Sequence, residues 1–417
     1  MESLMKIVLE NPYKNLGYWN KGQTHCHSKL SDGNNTADHL IRCYKEKGYH
    51  FIFLTDHNTC SPDQLVPGIL QIASGEDGKS DRHHVLALGI DRDRLDKNSD
   101  QNLDGICDLP TRPCENIQPR VDYITQTQQA VGILAHPTAG HAPAAYAFTL
   151  EELKNTQRYT GIEIFNSDKS QPIWSVFTPY DTNKKNTVSW WDETLRHKNT
   201  PVWGFAADDC HNVHATLPPF DVIVPGTDGP HFNRGWLVVN TSMDFSDCRL
   251  ALENISLFEK TTRNRLDQIS TAVKSLLFRN MALFYEQKQA FTTEILNNIK
   301  SGNFYAVVRG PKSPALAPSS SDNGPMMEIT TYGSTIQVKT DLDTSTIRFV
   351  FGNQQQTVAG ITRPVFRAIH GKTASYTCDG NEIYVRVEIE QNRPSPGQPN
   401  QTETYIAFSQ PLFVRRV

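Results

Sequence analysis

The sequence contains no apolar run approaching eighteen residues, so no segment is long enough to span a bilayer as a helix. None of its eight cysteines forms a Cys-x-x-Cys pair, which removes the zinc ribbon. A Gly-x-Ser-x-Gly elbow and a complete Gly-x-x-x-x-Gly-Lys-Ser/Thr phosphate loop are both missing, so nothing encodes a serine nucleophile or a P-loop. Charge of one sign is also missing. With 41 Lys and Arg against 45 Asp and Glu, the net charge of -4 gives no electrostatic case for nucleic acid or membrane binding. Residues Met1 to Glu10 lack a basic stretch followed by a long apolar core, so an intact signal peptide is not expected there. A processed chain would look the same, which leaves compartment and oligomeric state open. No internal repeat is evident. What remains is a 417-residue chain, 38% hydrophobic and 21% charged, with room for two globular domains.

The densest chemistry lies between Gln23 and Asn58. His25-Cys26-His27 reads as the end of a short strand, where residues two apart face the same way, so both imidazoles can reach one point. Asp32 follows in the turn Ser31-Asp32-Gly33. A helix is then expected from a Thr36 or Asn35 cap through Leu40, Ile41 and Tyr44, stopping at Gly48. The apolar run Phe51-Ile52-Phe53-Leu54 delivers Asp56 and His57 to the tip of a second strand. Strand, helix and parallel strand follow within forty residues, with polar groups at strand ends where α/β sites form. Imidazoles combined with a carboxylate suit zinc, manganese or iron.

Thr24-His25-Cys26-His27-Ser28, Ser31-Asp32-Gly33 and Leu54-Thr55-Asp56-His57-Asn58 resemble the opening motifs of the polymerase-and-histidinol-phosphatase (PHP) superfamily of metal-dependent phosphoesterases. The resemblance covers about residues 20 to 310. It implies an α/β fold, a distorted (β/α)7-type barrel with two or three divalent metals at its C-terminal mouth. It also picks the remaining ligands: Glu76 as the carboxylate bridging two metals, and His84 rather than His83 from His83-His84-Val85-Leu86-Ala87-Leu88-Gly89. That run is similar to a pattern in the branch containing carbamate-ester hydrolases. His136 is added by the His-Pro pair after Val131 to Ala135. Asp209 and His211 are added by the closing Asp-x-His motif, with Asp208 as an alternative to Asp209. The implied set is therefore His25, His27, Asp32, His57, Glu76, His84, His136, Asp209 and His211, in which Asp209, His211 and His136 also serve catalysis. Glu163 and Asn166, near the end of the strand Gly161 to Asn166, are candidate hydrogen-bonding partners of the ligands.

Outside this set, Asp100, Asn102, Asp104, Gly105 and Asp108 occupy alternating positions of a calcium loop. Thr111 stands where the bidentate Glu belongs, so a calcium site and a solvated acidic loop are both open readings. Cys107 and Cys114 are the only close cysteine pair, and a bridge between them would require an oxidising compartment. The Pro- and Gly-rich segment Asn212 to Arg234 is expected to form a loop over the mouth, where His214, His231 and Arg234 could meet substrate. The expected organisation is a lead-in over 1–20 and a catalytic barrel over 21–310, with an acidic insert at 91–115 and helices at 252–299. A linker at 311–325 and a small β-sandwich over 326–417, read from period-two alternation, complete it. The implied activity is hydrolysis of a small phosphorylated molecule, a phosphomonoester or phosphodiester, by a metal-bridging hydroxide. The alternatives are a carbamate or carboxylic ester hydrolase on the same site, and a binding module that has lost catalysis.

Overall fold

The computed structural model describes residues 6–15, 17–61, 66–78, 83–92, 117–138, 148–168, 187–217, 222–261, 271–310, 323–358, 361–395 and 398–417. The candidate calcium residues Asp100, Asn102, Asp104 and Asp108, with Cys107 and Cys114, lie outside these, as does most of the expected linker.

The N-terminal half alternates strands with helices. Strands β1 (Ile7–Glu10) and β2 (Tyr18–Gln23) lead into helix α1 (Ala37–Glu46), then β3 (Phe51–Phe53) and β4 (Leu70–Ile72). Next come β5 (Ser74–Asp77), β6 (Val85–Leu88), α2 (Gln118–Asp122) with a π-turn over Tyr123–Thr127, and β7 (Val131–Leu134). Helix α3 (Leu150–Asn155), β8 (Gly161–Asn166), α4 (Thr187–Lys198) and β9 (Trp203–Ala207) follow. Helix α1 begins where expected: the Thr36 hydroxyl accepts from His39 N at the N-terminus, and Gly48 takes φ +77° just past the end. Its buried Leu40, Ile41 and Tyr44 form the apolar stripe. Because a helix connects them, β2 and β3 pair in parallel.

The C-terminal half begins with the hairpin β10 (His214–Leu217) and β11 (Val222–Asp228), followed by β12 (Gly235–Thr241). The expected helical segment is α5 (Phe245–Thr261) and α6 (Thr271–Ser301), and β13 (Phe304–Arg309) follows. The remaining strands are β14 (Glu328–Tyr332), β15 (Thr335–Lys339), β16 (Thr346–Val358), β17 (Ile361–His370), β18 (Thr373–Thr377), β19 (Tyr384–Ser395), β20 (Gln398–Ser409) and β21 (Leu412–Arg416).

These strands form one eleven-stranded sheet, whose main path runs β1-β21-β19-β20-β13-β12-β2-β3-β4, and a five-stranded sheet β5-β6-β7-β8-β9, besides two small sheets. The central strands β3, β12 and β13 of the long sheet are buried on both faces, and their alternation shows it. Phe51, Phe53, Leu237, Val239, Phe304 and Ala306 enter one core, which the five-stranded sheet also lines. Ile52, Leu54, Trp236, Val238, Tyr305 and Val307 enter a second core shared with α1 and the layer β14-β15-β18.

Three features differ from the sequence reading. The run Ile69 to Asp77 is not one strand: it breaks at Ala73, with β4 in the long sheet and β5 in the other, and Ala73 O accepts from Gly89 N and Ile90 N at 2.9 Å each. Strand β6 is antiparallel to both β5 and β7, because β5 and β6 are joined without a helical crossover. The C-terminal strands β16, β17, β19, β20 and β21 do not keep to a sheet of their own but are part of the long one. Strand β20 pairs with β13 over five residue pairs, so the long sheet is continuous from the N-terminal half into the last strands, and β1 closes onto β21. Among the described residues, the ladders of the two larger sheets leave both sheets open. Single bridges, Cys26 to Cys210 and His57 to Glu76, join them at one end.

Candidate metal centre

Those two bridges mark where the site lies. His25 and His27 follow β2, His57 follows β3, Glu76 is in β5, His84 precedes β6, His136 follows β7, and Asp209 and His211 follow β9. All are strand-end positions, and the backbone ties the ends together: His27 N donates to Cys210 O at 3.0 Å, Asp209 N to His25 O at 3.0 Å, and Asn58 N to Glu76 O at 2.7 Å.

Asp56 shapes the first loop. Its carboxylate accepts from Ser28 N at 2.7 Å, Ser31 Oγ at 2.9 Å and Ser61 Oγ at 2.8 Å, so it is a loop brace and does not enter the cluster. Gly33 packs against this turn so closely that a Cβ would sit 2.2 Å from His27 O, which excludes any larger residue. Gly78, at φ +147°, leaves room for the His84 ring in the same way, with a Cβ falling 2.4 Å from Cδ2.

Inside the cluster, His25 Nε2 and His27 Nε2 are 3.1 Å apart, and Asp209 Oδ1 lies 3.2 and 3.1 Å from them. Glu76 is central. Its Oε1 is 2.9 Å from His84 Nδ1, 3.3 Å from His136 Nε2 and 3.5 Å from His25 Nε2. Its Oε2 is 3.0 Å from His57 Nδ1 and 3.4 Å from His27 Nε2. Asp32, half exposed at the mouth, lies 3.3 Å from His211 Nε2, 3.4 Å from His27 Nδ1 and 3.5 Å from His57 Nε2. The nine residues read from the sequence are thus brought together. Within the cluster, His25-His27-Asp209, His27-His57-Glu76, His27-Asp32-His211 and Glu76-His84-His136 are each groups whose donor atoms lie mutually within 4.8 Å.

Behind the donors lies a supporting layer. Glu163 Oε1 accepts from His25 Nδ1 at 2.8 Å, while its Oε2 accepts from His136 N at 2.7 Å and Asn166 Nδ2 at 2.9 Å. Asn166 Nδ2 also donates to Asp209 Oδ2 at 3.2 Å. His136 and Asp209 adopt φ +30° and +51°, a conformation uncommon outside glycine, and strain of this kind concentrates at functional sites.

The electrostatics fit a cation-binding pocket. Burial opposes charge on His25, but Asp209, Glu163 and Glu76 outweigh it and hold its pKa well above the usual imidazole range. Burial pushes His27 down to about 4, so its ring is neutral and has a lone pair to offer. His57 rises to about 10: burial works against this, and Glu76 and Asp32 prevail. Despite complete burial, Glu76 stays well below the carboxylate range because His84, His25 and His57 surround it. Glu76 Oε2 and His57 Nδ1 are buried outside any well-aligned hydrogen bond, an expensive arrangement unless another partner enters. Buried imidazoles and carboxylates converging in this way suit divalent metals.

The neighbouring candidates fall elsewhere. Asp208 accepts from the backbone N–H groups of Asn233, Arg234 and Gly235 and from the Tyr44 hydroxyl, so Asp209 is the acid that faces the cluster. Arg234 is buried, and its guanidinium donates to the carbonyls of Pro230 and Gly310, away from the mouth. His214 lies against His39, outside the cluster, with 3.0 Å between their Nε2 atoms. His231 is at the rim, where its Nε2 is 3.4 Å from Asp168 Oδ1, and Asp168 Oδ2 is 3.6 Å from His211 Nδ1. Sequence reasoning missed Asp168; its signal was its place two residues beyond Asn166 at a strand tip.

No family model and no curated protein matches the chain. Among solved structures it is similar to a two-domain protein from Bacteroides vulgatus containing a predicted PHP-like metal-dependent phosphoesterase, at 13% identity over 95% of this chain and 97% of that one, with a TM-score of 0.38. It is also similar to an amidohydrolase from Chromobacterium violaceum, at 16% identity over 49% of this chain and 90% of that one, with a TM-score of 0.30. At these scores the likeness carries no weight for function, and the chemistry rests on the residues of the cluster.

Proposed function

We propose that this chain is a metal-dependent hydrolase of phosphoester bonds, its site set in a distorted α/β barrel made from the two larger sheets. One observation supports this above all: nine imidazole and carboxylate side chains from separate strand ends converge around Glu76. Two or three divalent ions held there would bring the pKa of bound water towards about 7 and draw charge from the scissile group.

The chain's own residues supply the rest. Glu163 holds the proton on His25 Nδ1, so that a bound ion would displace only the proton at Nε2, which then offers its lone pair inward. Glu76, with one oxygen towards each of two histidine groups, is placed to be shared between ions. His25, His27 and Asp209 would hold one ion, and His84 and His136 would support another with Glu76. His231, Asp168 and His211 form a line from solvent to the cluster, along which His231 Nε2 can take up or release a proton. Two or three ions held by these groups would hold more oxygens than a planar carbonyl offers, which favours a tetrahedral phosphoryl substrate.

The test is a panel of p-nitrophenyl phosphate, bis-p-nitrophenyl phosphate, nucleotides, carboxylic esters and aryl carbamates, with manganese or zinc supplied. Turnover is expected on a phosphoester, and His27→Ala or Asp209→Ala should lower it at least about a hundredfold while the fold survives. Activity confined to the carbonyl substrates would overturn the choice of substrate. Fewer than about one transition metal per chain, with no activity on adding metal, would leave a binding module.

A further inference from the structure

One group of metal-ligating side chains stands apart from the cluster. His39 and Cys43 are four residues apart on α1, so they share a helix face, and His214 opens β10 opposite them. His39 Nε2 is 3.0 Å from His214 Nε2 and 3.7 Å from Cys43 Sγ, and all three donor atoms lie within 4.8 Å of one another. In tetrahedral zinc, with Zn–N about 2.0 Å and Zn–S about 2.3 Å, neighbouring donors are about 3.3–3.6 Å apart, close to this spacing. Cys43 is a free thiol, half-buried, and His39 is exposed, so an ion has a path in.

We propose that His39, Cys43 and His214 form a second metal site that takes zinc and staples α1 to the β10–β11 hairpin. Two imidazoles and one thiolate are borderline-soft donors, which select zinc over hard cations such as magnesium or calcium. Three protein ligands leave a fourth position for water. Binding releases the thiol proton, since the thiolate is the ligand. The site ties together segments that both border the main cluster: α1 begins soon after Asp32, and β10 begins three residues after His211. Asn34 N already donates to His211 O at 2.7 Å, and Val213 N to Asn35 Oδ1 at 3.1 Å. An ion at His39, Cys43 and His214 would fix this junction from the outer side.

Cobalt(II) provides the test, because cobalt bound through thiolate gives a near-ultraviolet charge-transfer band that nitrogen and oxygen ligands do not. The full chain titrated with cobalt should show the band, and Cys43→Ala and His214→Ala should lose it. His27→Ala, which disables the main cluster, should keep it, so failure of the phosphoesterase reading and failure of this one are distinguishable. Zinc content should fall by about one ion per chain in Cys43→Ala. Alanine is the best helix former, so Cys43→Ala and His39→Ala should leave α1 folded. A band that persists in Cys43→Ala, a band absent from the unaltered chain, or an unchanged zinc content would overturn the proposal.

Discussion

A buried imidazole presents a lone pair at one nitrogen only if the other keeps its proton, and Glu163 arranges this for His25 through a 2.8 Å contact with Nδ1. Replacing Glu163 with Gln leaves a group of the same size that no longer holds the tautomer electrostatically. Metal affinity is then expected to drop about 10- to 100-fold. Competition with a chromogenic chelator measures it, and an affinity equal to that of the unaltered chain would show that Glu163 only fills space. At this scale much of the site was legible: imidazoles two apart near a strand end, and acids at strand tips, are local patterns. The choice between Asp208 and Asp209 was not, because it depends on distant groups. Asp208 is claimed by the backbone of residues 233 to 235 and by Tyr44, and burial lifts its pKa to about 6. Asp209 is turned inward by a left-handed backbone that sequence does not announce. Arg234 misled for a related reason: a guanidinium in a Gly- and Pro-rich loop suggests an anion, yet its donors serve backbone carbonyls.

Among the elements, helix α1 was readable from its cap, stripe and terminal glycine, all encoded within a dozen residues. The break at Ala73 was not, since the apolar run continues through it and only pairing partners far along the chain decide which sheet each part joins. Contacts between elements were equally hidden, and one of them is a buried ion pair. Asp192 on α4 accepts from Arg386 Nε at 2.8 Å, Arg386 Nη2 at 2.9 Å and the Tyr384 hydroxyl at 2.6 Å, while Arg386 Nη1 reaches Glu388 Oε1 at 2.5 Å. Both members of the main pair are fully buried, so removing Asp192 takes from Arg386 the carboxylate that pairs with two of its nitrogens and leaves Glu388 to balance the charge. Asp192→Ala should therefore cost about 3–5 kcal/mol in urea unfolding. A loss below about 1 kcal/mol, the range of an exposed pair, would mean that water reaches the arginine.

For the molecule as a whole, the cluster is the place where two sheets meet. His25, His27 and His57 hang from the long sheet, whereas Glu76, His84, His136 and Asp209 belong to the five-stranded one. Period-two alternation revealed that the last strands were strands. It could not show that they extend a sheet begun near residue 7, because pairing over such a sequence distance leaves no local mark. An ion bound at the cluster is a cross-link between the sheets, and it binds the folded state alone, so its stabilisation follows mass action. Stripping divalent metal with a chelator should lower the melting temperature, and restoring it at a hundred times its Kd should return about 2.7 kcal/mol. The measurement belongs in the Cys43→Ala background, so that the surface site adds nothing. Hydrogen exchange then distinguishes a cross-link from a local effect. Protection should rise on metal addition along both β2–β3 and β5–β7, and the same addition to His27→Ala should raise neither by a comparable amount. Slowing confined to one of the two sheets would mean that the cluster's donors act within that sheet and do not join it to the other.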